Sequence, residues 1–337
     1  MSLSNGIISG AQIASTKWDK SFAFDDGDLV LQSTDSINFR VHSVILKLSS
    51  SVFRDMLAIP QASSSEPKST STDEPIVLAE CANVVRILLN IIYPVQHTID
   101  EEAIETLELL NSSITAAIKY DMPAVIQALR AFIRAQTRST QPKFHPVALY
   151  GSAWNFGFGE EAKALSAKTL SYNLDTPEIY GYLKKVDSEG MLKLLILHRR
   201  RKLLMLNALN SMTDDPPFAP DVSDVNGPVN VPHLPGEDHC LKLNGNVMSL
   251  SPRPADYKSD AKHAWMNFKY ELSKWMEERP DGQEFTKIGC DFVFDHRFSD
   301  VKYLVDLRVL QKEIARIVEK LPTEIDIEES PSLKRED

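Results

Sequence analysis

An α+β fold is predicted for the opening part of this 337-residue chain, followed by an all-helical stretch and a small mixed unit near the C-terminal end. Three observations carry the prediction. Two short apolar runs, Leu29 to Leu31 and Ile37-Phe39-Val41, are separated by the turn-like segment STDS. Apolar residues three or four apart then dominate, with one short strand-like interruption, to about residue 210. Residues 211–256 hold eight prolines and few branched or aromatic residues, so they read as a linker ahead of a last compact segment.

Composition sets bounds on function. Hydrophobic content of 43% with 25% charged residues is globular, so most of the chain is expected to bury a core. The net charge of −10 argues against binding to the phosphate backbone of nucleic acids, which needs a basic face. No apolar run is long enough to cross a membrane, and the opening residues lack a basic and then apolar leader pattern. Cys81, Cys240 and Cys290 are odd in number and far apart, which argues against a disulfide framework. Cytoplasm or nucleus is the expected location. No cofactor, metal or small-molecule substrate is expected.

The elements follow in order. Residues 1–23 read as a flexible N-terminus. Ile37, Phe39 and Val41 alternate, which predicts a hairpin with one buried face. Val44, Ile45 and Leu48 share one side of a helix, and the serines at 49–51 offer an N-cap for a second helix, VFRDMLA. The Ser/Thr/Pro-rich stretch from Pro60 to Pro75 reads as a loop without regular structure. Ile76-Val77-Leu78 supplies the third strand. ANVVRILLNIIY is apolar almost throughout and predicts a helix buried on most sides. Ile104, Leu107, Leu110, Ile114 and Ile118 mark an amphipathic helix, and Asp121 with Pro123 starts the next.

Beyond residue 140 the pattern stays helical through a predicted extension at 141–212. Thr176-Pro177-Glu178 marks a helix start, and Asp187 or Ser188 opens a long helix carrying Leu192, Leu195, Leu203 and Leu206. The linker is placed at 213–258. A helix–strand–helix unit is placed at 259–322, with Trp265, Phe268, Leu272 and Trp275 on one helix face, a strand at 288–294 and a final stripe from Leu307 to Leu321. Residues 323–337 read as a disordered tail.

The segment DGDLVLQSTDSINFRVHSVILKLSSSVFRDML carries Asp28, Asp35, Phe39, Val41, His42, Leu46, Ser49, Ser50, Phe53 and Met56 at the spacing of a BTB/POZ domain, which it resembles. VVRILLNIIYP and AIKYDMPAVIQAL are similar to later motifs of that family and stand in the same order. The resemblance places a BTB/POZ-like domain at 24–140. HPVALYGSAWNFGFGEEAKALSAKTL resembles the helical extension of fungal BTB proteins. What the resemblance implies is a non-catalytic adaptor or scaffold acting by protein–protein interaction, with other proteins and its own copies as partners. Two departures bear on this. Residues 1–23 show no amphipathic element of the kind that family members exchange when they dimerise. LAIPQAS stands where members that recruit a cullin ubiquitin ligase carry an apolar-x-Glu motif. A nuclear regulator and a cullin-ligase substrate adaptor are the alternative readings.

Asp35 and His42 are the candidate site. They stand where the hairpin meets the first helix, and they form either a hydrogen-bonded pair holding hairpin to helix or part of a partner-binding pocket. No nucleophile and base accompany them, so no catalytic residue is assigned. HRRRK, His198 to Lys202, reads as a solvated helix surface, with a nuclear import signal as the competing reading. Phe156-Gly157-Phe158-Gly159 reads as a turn between helices. His239, Cys240, Cys290 and His296 lack the close pairing of zinc ligands.

Overall fold

The computed structural model describes residues 17–59, 74–93, 102–211, 239–243, 246–250, 257–283 and 307–327. At 211, 239–243, 246–250, 257–265, 267 and 307–311 it describes the backbone alone. The chain divides into two compact units, Met1–Ser139 and Thr140–Asp337.

The first unit is α+β. Its strands are β1 (Lys17–Ala23), β2 (Leu29–Gln32), β3 (Ile37–Val41) and β4 (Ile76–Val77). They form one sheet in the order β1-β3-β2-β4. The expected hairpin is present: β2 and β3 run antiparallel from Leu29 opposite Val41 to Gln32 opposite Asn38. Its turn closes through Ser36, which takes a positive φ of 60° and donates its N–H to the Ser33 carbonyl. Val30 and Leu31 are both buried. Successive strand residues point to opposite faces, so β2 is covered on both sides rather than on the single side its pattern suggested.

The sheet has four strands where three were expected, because residues 17–23 are not a flexible lead-in. β1 pairs in parallel with β3, Lys17 opposite Ile37 and Trp18 opposite Asn38, with an irregular register before Ala23. Scattered apolar residues hid the strand. Its anchor is polar: the buried carboxylate of Asp19 accepts from Arg86 Nε at 3.0 Å and Nη2 at 2.7 Å, and from the N–H groups of Ser21 and Phe22. Trp18 lies under the Arg40 guanidinium, 5.0 Å from ring centroid to cation.

The helices of this unit are α1 (Ser43–Ser49), α2 (Ser51–Met56), α3 (Ala82–Ile92), α4 (Leu107–Lys119) and α5 (Pro123–Arg138). Ser50 is the N-cap of α2, its hydroxyl accepting from Phe53 N–H at 3.0 Å while donating to the Tyr120 carbonyl. Phe53 is buried and stacks on Tyr120 at 4.9 Å. α3 buries Val84, Val85, Ile87, Leu88 and Leu89, as its continuous apolar run predicts. The N-cap of α5 is Met122, not Asp121. Asp121 instead has a positive φ of 47° and its carboxylate accepts from the Ser51 hydroxyl, so it joins the α4–α5 corner to α2.

The second unit is built around α6 (Pro146–Asn155), buried on almost every side, with α7 (Gly159–Thr169), α8 (Pro177–Leu183) and the long α9 (Ser188–Ser211). Gly190 lets α9 approach the Trp154 ring, where a Cβ would sit 2.4 Å from ring carbon. Tyr150, buried beside it, donates its hydroxyl to the Gly190 carbonyl at 2.7 Å, and burial pushes its phenol pKa up. Gly157 has a φ of 72° in the turn between α6 and α7, as the Phe-Gly-Phe-Gly run suggested.

Two C-terminal expectations change. The region 213–258 is not free of regular structure: β5 (His239–Leu243) and β6 (Asn246–Leu250) form an antiparallel hairpin, and α10 (Tyr257–Glu278) has begun before its end. The expected tail does not start at 323. Ile325 is buried and donates its N–H to Ser166 Oγ at 3.0 Å. The last helix, α11 (Leu307–Glu319), buries Ile314 and Val318, and Leu321 follows it inside. The strand expected at 288–294 lies outside the described residues, as does the loop at 60–73.

HRRRK is a solvated surface only in part. Arg201 is 2% exposed, and its guanidinium donates to the carbonyls of Pro280 at 2.7 Å, Pro322 at 2.6 Å, Asp281 at 3.1 Å and Leu321 at 3.4 Å. His198 is buried against Thr169 Oγ1 at 3.0 Å, and burial, with the Arg201 charge nearby, pushes its pKa down to about 3. Of the three arginines only Arg199 and Arg200 face solvent.

Candidate interaction surface

Asp35 and His42 do not meet. They flank β3, whose five residues span roughly 17 Å. Each makes its own contact with α3. The Asp35 carboxylate accepts the N–H of Ala82, the first residue of α3, at 2.8 Å. The N-cap itself, Cys81, makes no side-chain cap, so Asp35 satisfies an end group the helix leaves open and places a negative charge at the positive end of the dipole. Partial burial pushes the Asp35 carboxyl up. Hydrogen bonds from Ser33 and Ala82 and the charge of Arg86 outweigh that and hold it below its ordinary value.

His42 holds the other end of the same helix. Its backbone N–H donates to the Tyr93 hydroxyl at 2.9 Å, and its Nδ1 lies 3.1 Å from that oxygen. Tyr93 is the C-cap of α3. On the other side of the ring, Nε2 lies 3.2 Å from the Asp26 carboxylate. Phe24 stacks on Tyr93 at 5.2 Å, and Phe22 meets it edge-on at 5.4 Å. Burial, helped by the charges of Asp28 and Asp26 and opposed by the bond from His42, raises the Tyr93 phenol pKa.

Asp28 repeats the role of Asp35 on α1. Its two oxygens accept the Ser43 N–H at 2.7 Å and the Ser43 hydroxyl at 2.6 Å, while the nominal N-cap His42 makes no side-chain cap. Burial pushes this carboxyl up, but the Ser43 bonds and the nearby His42 bring it below its ordinary value. All three polar residues are thus positioning groups.

What the arrangement displays is a row of exposed apolar side chains. Val44 and Leu48 lie one turn apart on α1, and Val52 and Met56 one turn apart on α2. Ile59 follows α2. Leu48 is 83% exposed and Ile59 69%. Sequence periodicity puts Val44, Ile45 and Leu48 on one side of α1, and the residue the helix buries is Leu46 instead. The available signal was an excess: α1 carries more apolar residues than one face of a seven-residue helix can bury.

Among the described residues no group of three or more His, Cys, Asp or Glu side chains could hold a metal ion. The side chains of His239, Cys240, Cys290 and His296 lie outside the described residues. No helix among the described residues is long and apolar enough to cross a membrane.

Comparison with known proteins gives one family. A search of curated proteins finds no match to this chain. Residues 22–137 match the family model of the BTB/POZ domain, a module of protein–protein interaction.

Proposed function

We propose that the protein is a non-catalytic adaptor whose first unit docks another protein on the α1–α2 row. The observation that carries this reading is the row itself. Single exposed apolar residues are ordinary on a protein surface, whereas five of them between Val44 and Ile59, on and just after two consecutive helices, mark a contact surface. The helices beneath it are held rigidly by Asp28 at the start of α1 and Ser50 at the start of α2, so the row is presented ready-formed. BTB/POZ domains mediate protein interaction and self-association, which agrees with an apolar face of this kind.

Proximity labelling with the full chain and with a Leu48→Asp/Ile59→Asp variant in the native cell tests the proposal. Both positions face solvent, so the variant is expected to fold. A specific set of labelled proteins that disappears with the variant supports the adaptor reading. An identical labelled set for both chains removes it.

A further inference from the structure

The second unit contains a groove that the adaptor reading does not use. It lies between α8, α9 and the C-terminal end of α10 and has a volume of about 1060 Å³. Its apolar wall includes Leu183, Val186, Leu195, Leu203 and Met276. Leu195 and Leu203 are exposed, although Leu and Met make up most of the residues that could face a core along this helix. The buried stripe of α9 is a different one, formed by Leu194, Leu197, Arg201, Met205 and Leu209. α9 is therefore apolar on its buried side and on a second side that opens into the groove.

The charges at the rim are unequal in their commitments. The two carboxylates are occupied, Glu277 by Lys202 and Asp175 by the Tyr180 hydroxyl. Lys184 and Arg199 line the same groove, are exposed, and have no polar partner among the described residues. An apolar trough with two uncommitted cations at its edge is complementary to a chain that offers branched apolar side chains together with carboxylates.

The same helix shows how it receives such a chain. On its other side, Glu324-Ile325-Asp326-Ile327 lies against α7 and α9. Ile325 is buried, Arg200 pairs with Asp326 at 3.3 Å, and Lys193 donates to the Asp326 carbonyl at 3.2 Å. Lys163 pairs with Glu324 at 3.7 Å. Carboxylates meet the cations of the helices while the intervening isoleucine enters the core. Arg199, with Leu195 and Leu203 a turn to either side, reproduces those components on the open side of α9.

We infer that the groove of the second unit binds a short peptide segment of a partner protein in which carboxylates alternate with branched apolar residues. Apolar side chains enter between Leu195, Leu203 and Met276, and the carboxylates pair with Arg199 and Lys184. This is a second recognition surface, separate from the α1–α2 row, and it would let one molecule hold two different proteins.

Selection of a random peptide display library against the immobilised full chain tests the inference. The expected result is a consensus rich in Asp or Glu and in Leu, Ile or Val. The synthetic consensus peptide should lose about tenfold or more in affinity with Leu195→Asp and with Arg199→Glu, and keep its affinity with Arg200→Glu on the opposite side of the helix. All three positions are exposed, and circular dichroism melts check that each variant folds. A selection that yields no consensus, a consensus without carboxylates, or binding unchanged by both groove variants overturns the inference. So does loss with Arg200→Glu alone, which would show that peptides displace residues 324–327. Binding that emerges only after residues 213–225 are deleted would overturn it in favour of an occupant within the chain.

Discussion

The hydroxyl of Tyr93 receives the backbone N–H of His42 at 2.9 Å, which fastens the residue after β3 to the C-cap of α3. The Asp35 carboxylate, before β3, receives the first N–H of α3 at 2.8 Å. Eleven helical residues rise roughly 17 Å and five strand residues extend roughly the same distance. Strand and helix are therefore matched in length and clamped at both ends, which fixes the hairpin on its covering helix and sets the direction in which α1 leaves β3.

Tyr93→Phe keeps the ring stack and removes the hydroxyl. The His42 N–H loses its acceptor in a part-buried setting, so stability should fall by about 1–3 kcal/mol. Urea denaturation measures this directly. A change of only a few tenths would show that water replaces the phenol at no cost.

Asp19→Ala should destabilise the first unit by about 1–3 kcal/mol, because Arg86 and two backbone N–H groups lose one shared acceptor. A chain starting at Ser21 loses the Lys17 and Trp18 pairings as well and should be weaker still. Thermal melts of the full, substituted and shortened chains decide this. If the shortened chain melts with the full one, β1 adds nothing to the fold.

His198 makes stability pH-dependent in a defined window. Its folded pKa lies near 3 and its unfolded value near 6.5, so between these the unfolded chain binds the extra proton. Stability therefore falls as pH drops below about 6.5, by at most about 1.4 kcal/mol per pH unit from this residue. His198→Gln, which can keep a hydrogen bond to Thr169, should flatten the slope between pH 7 and pH 4. Parallel slopes for the two chains would place the pH dependence elsewhere.

Arg201→Leu should cost about 3 kcal/mol or more, since four carbonyls in two turns lose their donor. Arg199→Leu, two residues earlier and exposed, should stay within about 0.5 kcal/mol. Equal effects in denaturant titrations would contradict the buried role of Arg201.

The sequence foretold what periodicity and caps encode locally. The β2–β3 hairpin, the all-round burial of α3, the Ser50 cap and the Thr176-Pro177 start are written in neighbouring residues. β1 was not legible, because a strand secured by one buried Asp–Arg pair carries no alternating apolar pattern. Its partner Arg86 lies 67 residues away. Arg201 was misread for a related reason. Within a run of cations nothing local marks the one whose acceptors are backbone carbonyls about 80 and 120 residues further on. Asp35 and His42 were singled out as polar residues beside a hairpin. Their separation along β3 assigns them to opposite ends of one helix, and the exposed row on α1 and α2 escaped notice because short helices carry too few turns to show which face is buried.

Hydroxyl-radical footprinting of the full chain, free and bound to a partner recovered by proximity labelling, tests the central claim most directly. Met56 is the most readily oxidised member of the exposed row and reports on it without substitution. The account predicts that oxidation of Met56 and Leu48 slows several-fold in the complex while Met191, in the second unit, keeps its rate. Unchanged rates at Met56 and Leu48, with protection elsewhere in the first unit, would contradict it.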